Sequence, residues 1–298
     1  MLTATRLDAT PAAAPPRRVR SLPSLQQQYQ AYLMQRIEDY KDSLTRGELM
    51  RLGDEAARDL QGGTSGQLVL TEILMQETVD QQIISRLKLP SFRKWRAKIL
   101  PLREAQRLPS HWGVLPTDPV AMVLQLIEPG DRALIIGAGA DRAAYLLAAH
   151  DLDIQCLFGD TSSATRVEGI MASESLTGKF EAFVVALGGQ WLPPAVSGPY
   201  QLVVVDAATL QNLPPERQRA IALQAQQRTA PEGLHAVVSS DEVSAPEGCL
   251  HHYQDWQRIP TPPPPPGGRT SGPGLRGVLL SGPPIRSTGL VQLPPGQA

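Results

Sequence analysis

Cysteine is nearly absent. Two residues in 298, Cys156 and Cys249, cannot build a disulfide framework. That usage belongs to a reducing compartment, so a cytoplasmic location is expected. Aromatics are scarce at 5 % of the chain, and the 28 prolines gather toward the two ends, so those ends are expected to pack poorly. Charge of neither sign dominates: the formal net charge is −1, which excludes a global pull toward nucleic acid or a membrane surface. No apolar run approaches the ~18 residues needed to span a bilayer, so no membrane association is expected. Also missing are a Gly-x-Ser-x-Gly elbow, a Walker loop and a His-Glu-x-x-His helix, the usual bases for hydrolase, nucleoside-triphosphatase and zincin readings. His251 and His252 are adjacent. In a strand they would point to opposite faces, and no Cys or carboxylate stands at a recognised spacing, so no metal site is expected.

What is present is a 42 % hydrophobic chain with a glycine turn at its centre. Arg132-Ala133-Leu134-Ile135-Ile136-Gly137-Ala138-Gly139-Ala140-Asp141 reads as a buried strand, a tight turn and the start of a helix. Glycines at 137 and 139 let backbone approach a ligand where a Cβ would block it. The following helix aims free N–H groups at the same place. A second apolar run, Ile154 to Phe158, ends at Gly159-Asp160, and an acid at the tip of a second strand is placed to bond ribose hydroxyls. The dinucleotide fingerprint wants a third glycine where Arg142 stands, which disfavours NAD and FAD. The shorter Gly-x-Gly turn with a downstream acid fits S-adenosylmethionine better, and a nicotinamide-dependent oxidoreductase is the weaker alternative.

On these residues the chain resembles the class I S-adenosylmethionine-dependent methyltransferases, over roughly Pro116 to Gly282. Glu128-Pro129-Gly130-Asp131-Arg132 precedes the first strand as in many members. Tyr200 to Ala208 is similar to the fourth strand, and Thr229 to Val238 to the turn and fifth strand. Leu187-Gly188-Gly189-Gln190-Trp191-Leu192-Pro193-Pro194 is similar to the segment after the third strand in protein-isoaspartate-type methyltransferases. The departures are equally specific. The family's acid before the first glycine is replaced by Ile135, its third glycine by Asp141, and the adenine-contacting acid near Gly188 is missing. No Asp-Pro-Pro-Tyr run stands at Asp206, so methylation of DNA base amines has no support.

The expected fold is therefore α/β: a Rossmann-like, mostly parallel sheet with helices on both faces, plus an N-terminal helical module. Residues 1–23 read as a disordered basic tail, with an organelle transit segment as the alternative. Residues 24–115 form the helical module. Ser24–Gln27 and Thr45–Glu48 are capping boxes, Gly62 to Gly66 is a loop, a third helix runs from Leu70 to Leu87, and Ser91 caps a fourth that Pro101 breaks or kinks. Residues 116–282 hold the methyltransferase-like domain. Strands are expected near 133–136, 154–158, 182–187, 202–206 and 235–239, and helices near 118–127, 141–149, 163–175 and 214–228. The family resemblance adds a late antiparallel hairpin from His252–Trp256 and Gly277–Leu280. A proline-rich loop at 260–274 separates those two segments, and 283–298 is a second disordered tail.

The candidate cofactor residues are Gly137, Ala138, Gly139, Asp160, Gln190 and Trp191. Each has a plainer reading: the glycines as a tight turn, Asp160 as a helix cap, Trp191 as a loop anchor. Asp206, ending the fourth strand beside the crevice, is the candidate catalytic base, and equally a cap for the N–H groups after it. Arg86, Lys88, Arg93, Lys94, Arg96, Lys98, Arg103 and Arg107 stand against Glu104 alone, with Phe92, Trp95 and Trp112 interleaved. Such a run can hold phosphates and stack bases, with Arg93, Lys94, Arg96 and Lys98 as the nucleic-acid candidates. Its plainer reading is a match to the upstream acids Glu38, Asp39, Asp42, Glu48, Asp54, Glu55 and Asp59. Two functions follow: a methyltransferase of unknown acceptor, or a catalytically degenerate methyltransferase-like scaffold.

Overall fold

The computed structural model describes residues 23–61, 68–176, 178–187, 189, 192–240, 244–260 and 274–282. Four helices open it: α1 (Leu25–Ser43), α2 (Arg46–Gln61), α3 (Leu68–Arg86) and α4 (Phe92–Gln106). Ser24 and Gln27 form a reciprocal box, with Gln27 N–H donating to the Ser24 hydroxyl and Ser24 N–H to the Gln27 side chain. Thr45 and Glu48 do the same before α2. Ser91 occupies the capping position of α4 but makes no side-chain cap bond. Pro101 does not end α4, which continues to Gln106. The proline is exposed, so its ring projects into solvent. Between α1, α2 and α3, Ile37, Leu52 and Ile83 are buried, whereas Leu49, Ile73 and Leu74 of the expected apolar stripes stay exposed. Three thin helices cannot cover every apolar side chain.

Alternation then sets in: α5 (Pro119–Val123), β1 (Arg132–Ile136), α6 (Asp141–Ala149), β2 (Asp153–Phe158), α7 (Thr161–Ser173) and β3 (Phe180–Val184). After these come β4 (Tyr200–Asp206), α8 (Ala207–Gln211), α9 (Pro215–Gln227), β5 (Thr229–Ser239), β6 (Gln257–Ile259) and β7 (Arg276–Ser281). The seven strands form one sheet in the order β3-β2-β1-β4-β5-β7-β6. β1 to β5 are parallel, and β7 runs antiparallel to both neighbours. This is the Rossmann-like sheet with a late antiparallel hairpin. Its β6 begins at Gln257, after the expected His252–Trp256, because Pro246–His252 is a 3-10 helix that ends in a turn. The histidine pair therefore does not lie in a strand; the two rings sit 3.7 Å apart.

Alternate side chains of the buried strands feed two cores, as a sheet covered on both faces requires. Ala133, Ile135, Ile154, Cys156, Leu202 and Val204 pack with α6 and α7. Leu134, Ile136, Leu157, Val203 and Val205 pack with α8 and α9. Buried Asp118 accepts from the N–H groups of Leu115 and Leu275, each at 2.8 Å, and so ties the entry to α5 to the entry to β7. Among the described residues no helix is long and apolar enough to cross a membrane.

Candidate functional site

The chain leaves β1 toward β2 and β3 on one side of the sheet and returns to β4 and β5 on the other. The carboxyl ends of β1 and β4 therefore flank the point where strand order reverses, the place where open α/β sheets bind ligands. Gly137 follows β1 directly with φ +98°, a conformation that L side chains rarely adopt. Ala138–Ala140 form a single 3-10 turn that delivers the chain into α6. A Cβ on Gly137 would lie 2.5 Å from the Thr209 hydroxyl oxygen, and one on Gly139 would lie 2.5 Å from Asp206 Oδ1. Both glycines are thus required by the close approach of the turn to the start of α8. Ala138 and Gly139 remain part-exposed at the crevice lip.

Asp206 is the centre of this contact. It ends β4, is 2 % exposed, and caps α8. Its Oδ2 accepts from the Gly139 N–H at 3.2 Å, the Thr209 N–H at 3.1 Å and the Thr209 hydroxyl. Its Oδ1 is buried and receives no donor among the described residues. The capping reading of Asp206 is therefore realised, and one oxygen is left over. Thr209 was not singled out from the sequence. The signal was there: Asp206-Ala207-Ala208-Thr209 has the spacing of an N-cap and its third helical residue.

Asp160 lies at the tip of β2 as expected and caps α7. Its carboxylate accepts from the Ser163 N–H at 2.8 Å, the Ser162 hydroxyl at 2.8 Å and the Ser163 hydroxyl at 2.9 Å. The Ser163 N–H first, then the two hydroxyls, hold this carboxyl below the usual carboxylate range. Oδ1 takes two of the donors and Oδ2 one, so a lone pair of Oδ2 stays open to a further hydroxyl. Ile135, where the family carries an acid, is wholly buried in the core. Arg142, where a dinucleotide site has glycine, reaches back to the Gly113 carbonyl at 3.4 Å. Gln190 and Trp191 lie outside the described residues.

The basic run resolves into parts. Arg86 pairs with Glu55, and Arg107 with Asp151 at 2.8 Å. Its aromatics face inward. Trp95 is buried against Tyr29, Tyr32 and Phe92, and Trp112 packs on Tyr145 while its indole N–H donates to the Gln106 carbonyl. A different feature, unmarked in the sequence, is an open cleft of about 600 Å³ between α9 and the end of the 3-10 helix, lined by Arg219, Leu223, His251, His252 and Trp256. It lies apart from the glycine turn. Among the described residues, no cluster of three His, Cys, Asp or Glu side chains could hold a metal.

No family model and no curated protein matches the chain. Solved structures do. TehB from Haemophilus influenzae is 16 % identical, over 55 % of this chain and 61 % of that one, with a TM-score of 0.40. A TehB-like SAM-dependent methyltransferase from Corynebacterium glutamicum is 10 % identical, over 55 % and 86 %, with a TM-score of 0.42. The N-methyltransferase NodS from Bradyrhizobium japonicum is 11 % identical, over 55 % and 92 %, with a TM-score of 0.43. The chain spans about three fifths of the length of the Haemophilus protein. At these values the likeness carries no chemistry, and the functional reading rests on the crevice itself.

Proposed function

We propose that the chain binds S-adenosylmethionine at the crevice between β1 and β4 and acts as a methyltransferase. The observation that carries this reading is Asp206 Oδ1. A buried carboxylate oxygen without a donor costs about 1–3 kcal/mol or more, so its retention against a glycine turn points to a ligand that supplies the missing donor or a cation. S-adenosylmethionine carries both an ammonium and a sulfonium. The residues present fit the rest of it in kind. Ala138 and Gly139 stand part-exposed at the crevice lip, and the open lone pair of Asp160 suits a ribose hydroxyl. When bound, the cofactor supplies an electrophilic methyl group on sulfur.

The protein's own part is positioning. Gly139 N–H and Thr209 fix the Asp206 carboxylate through Oδ2, and Oδ1, closed off behind the turn, meets a donor once the turn shifts to admit the ligand. That oxygen takes its hydrogen bond either from the cofactor's ammonium or from the group to be methylated. Asp206→Asn separates the two. Weaker binding of S-adenosylmethionine places the oxygen on the cofactor, while unchanged binding with slower turnover makes it the proton acceptor.

The filled space around the glycines favours a second reading, a degenerate methyltransferase-like scaffold. Isothermal calorimetry with S-adenosylmethionine decides. Micromolar binding that Gly139→Trp abolishes supports the enzyme. No heat at millimolar ligand leaves the scaffold.

A further inference from the structure

We propose that the outward face of α4 binds the phosphate backbone of nucleic acid, independently of the cofactor crevice. Arg93, Lys94, Arg96 and Lys98 are all exposed and make no ion pair among the described residues. Five of the seven upstream acids that would balance them are engaged elsewhere. Glu38 pairs with Lys41, Asp39 with Arg36 and Glu55 with Arg86, Glu48 bonds Thr45, and Asp59 bonds Gln82. The half of α1 that packs on α4 through Tyr29 and Tyr32 has no charged residue from Leu25 to Gln35. Four cations unpaired among the described residues thus fall within six positions of one helix, on a chain whose net charge is −1.

The side chains around them say which polyanion fits. A helix lying in a membrane surface sets apolar groups beside its cations. Here Phe92 and Trp95 turn inward, onto Tyr29 and Tyr32. The same burial removes the rings on which single-stranded bases would stack. What remains is a set of point charges about 7.5 Å long from 93 to 98 at about 1.5 Å per residue, fanned over about 200° of the helix at about 100° per residue. A helix studded in this way meets phosphates on more than one side, as a helix lying along a duplex groove does. The face therefore contacts backbone, without reading sequence and without preferring single strands.

The test uses the full chain and a fluorescein-labelled DNA duplex of about 20 base pairs, followed by anisotropy. With up to four phosphate contacts, log K should fall against log salt with a slope of about −3 to −4, an affinity loss of about 10²-fold between roughly 50 and 200 mM salt. Two duplexes of unrelated sequence should bind alike. Replacing Arg93, Lys94, Arg96 and Lys98 together by Gln should abolish binding. Lys98→Gln alone should lower the slope by about 0.9, and Arg36→Gln, outside the face, should leave it unchanged. The proposal is overturned by no binding at the lowest salt, by a slope that the quadruple variant keeps, by tighter binding to a single strand of the same length, or by a preference for phosphatidylserine vesicles over the duplex.

Discussion

At the scale of single residues, two buried groups define the chemistry that can be measured. His235 is fully buried. Its Nε2 lies 2.6 Å from the Thr229 hydroxyl, which itself donates to the Ala225 carbonyl, so Nε2 carries the proton and the threonine oxygen accepts it. Nδ1 is then the acceptor for the Tyr253 hydroxyl at 3.2 Å. A second ring proton would break that bond, and burial pushes the histidine down from 6.5 to about 3. The unfolded chain takes up this proton near 6.5 and the folded chain only near 3, so the unfolded state holds the extra proton between them. Stability is therefore full above 6.5 and lost as pH falls toward 3, by up to about 1.4 kcal/mol per pH unit. Urea unfolding of the wild type and His235→Gln across that range should show this part of the slope vanish in the variant. The second group is Asp206. Gly139→Ala would set a methyl 2.5 Å from its Oδ1, an overpacking expected to cost about 1–3 kcal/mol. In an Asp206→Ala background that cost should shrink to below about 1 kcal/mol, a coupling that a double-mutant cycle reads directly. Additive energies would mean that the carboxylate does not press on the turn.

Individual elements show what the sequence could and could not carry. The interior strands β1, β2, β4 and β5 were legible because a parallel strand covered on both faces is a continuous apolar run, and such a run has few other homes. Helix α6 was legible to its ends, from Asp141 to Ala149, between a glycine turn and the next strand. Edge strand β6 was not. Its three residues, Gln257-Arg258-Ile259, are mostly exposed and carry no alternation. Helix α8 was missed because five residues hold no periodicity, although the residue that caps it, Asp206, had been singled out. At the site, the glycines and both acids were legible by type and place. The capping alternative for both acids was legible too, and the fold shows it realised, for Asp160 by serines and for Asp206 by Thr209. Pro101 is the clearest conflict between local rule and outcome, since α4 runs through it without the hydrogen bond it would otherwise make to Ala97. Packing of Trp95 on one side and of Gln106 on the other holds the helix together across it. Pro101→Ala should then stabilise the chain by about 2 kcal/mol, about 3 regained in the helix less about 1 from the freer unfolded state. A thermal melt followed by circular dichroism checks this. A lower midpoint would mean that the ring serves a contact of its own.

Across the whole molecule, burial is uneven enough to predict the order in which it opens. Among the described residues, the two faces of the sheet bury clusters of twenty-seven and seventeen apolar residues, whereas α1, α2 and α3 share a cluster of three, Ile37, Leu52 and Ile83, with Ala56 buried beside them. Three such side chains supply about 5–9 kcal/mol of burial. Of the polar ties that these helices add, Arg86 to Glu55 is exposed, and such a pair contributes about 0–1 kcal/mol, while Lys41 to Asp80 is part-buried. Helix α4 differs from its neighbours. Gln106 donates to the Glu174 carbonyl at 2.8 Å, and Arg107, just past its end, pairs with Asp151 and donates to the Ala149 carbonyl. These contacts fasten its far end to the α/β layers. Native-state hydrogen exchange should therefore find α2 and α3 opening at a free energy well below that of β1, β4 and β5, with the last turn of α4 protected alongside the sheet. Equal protection throughout would show that the four helices and the sheet unfold as one unit, and that the small cluster around Ile37 is held by more than its own packing.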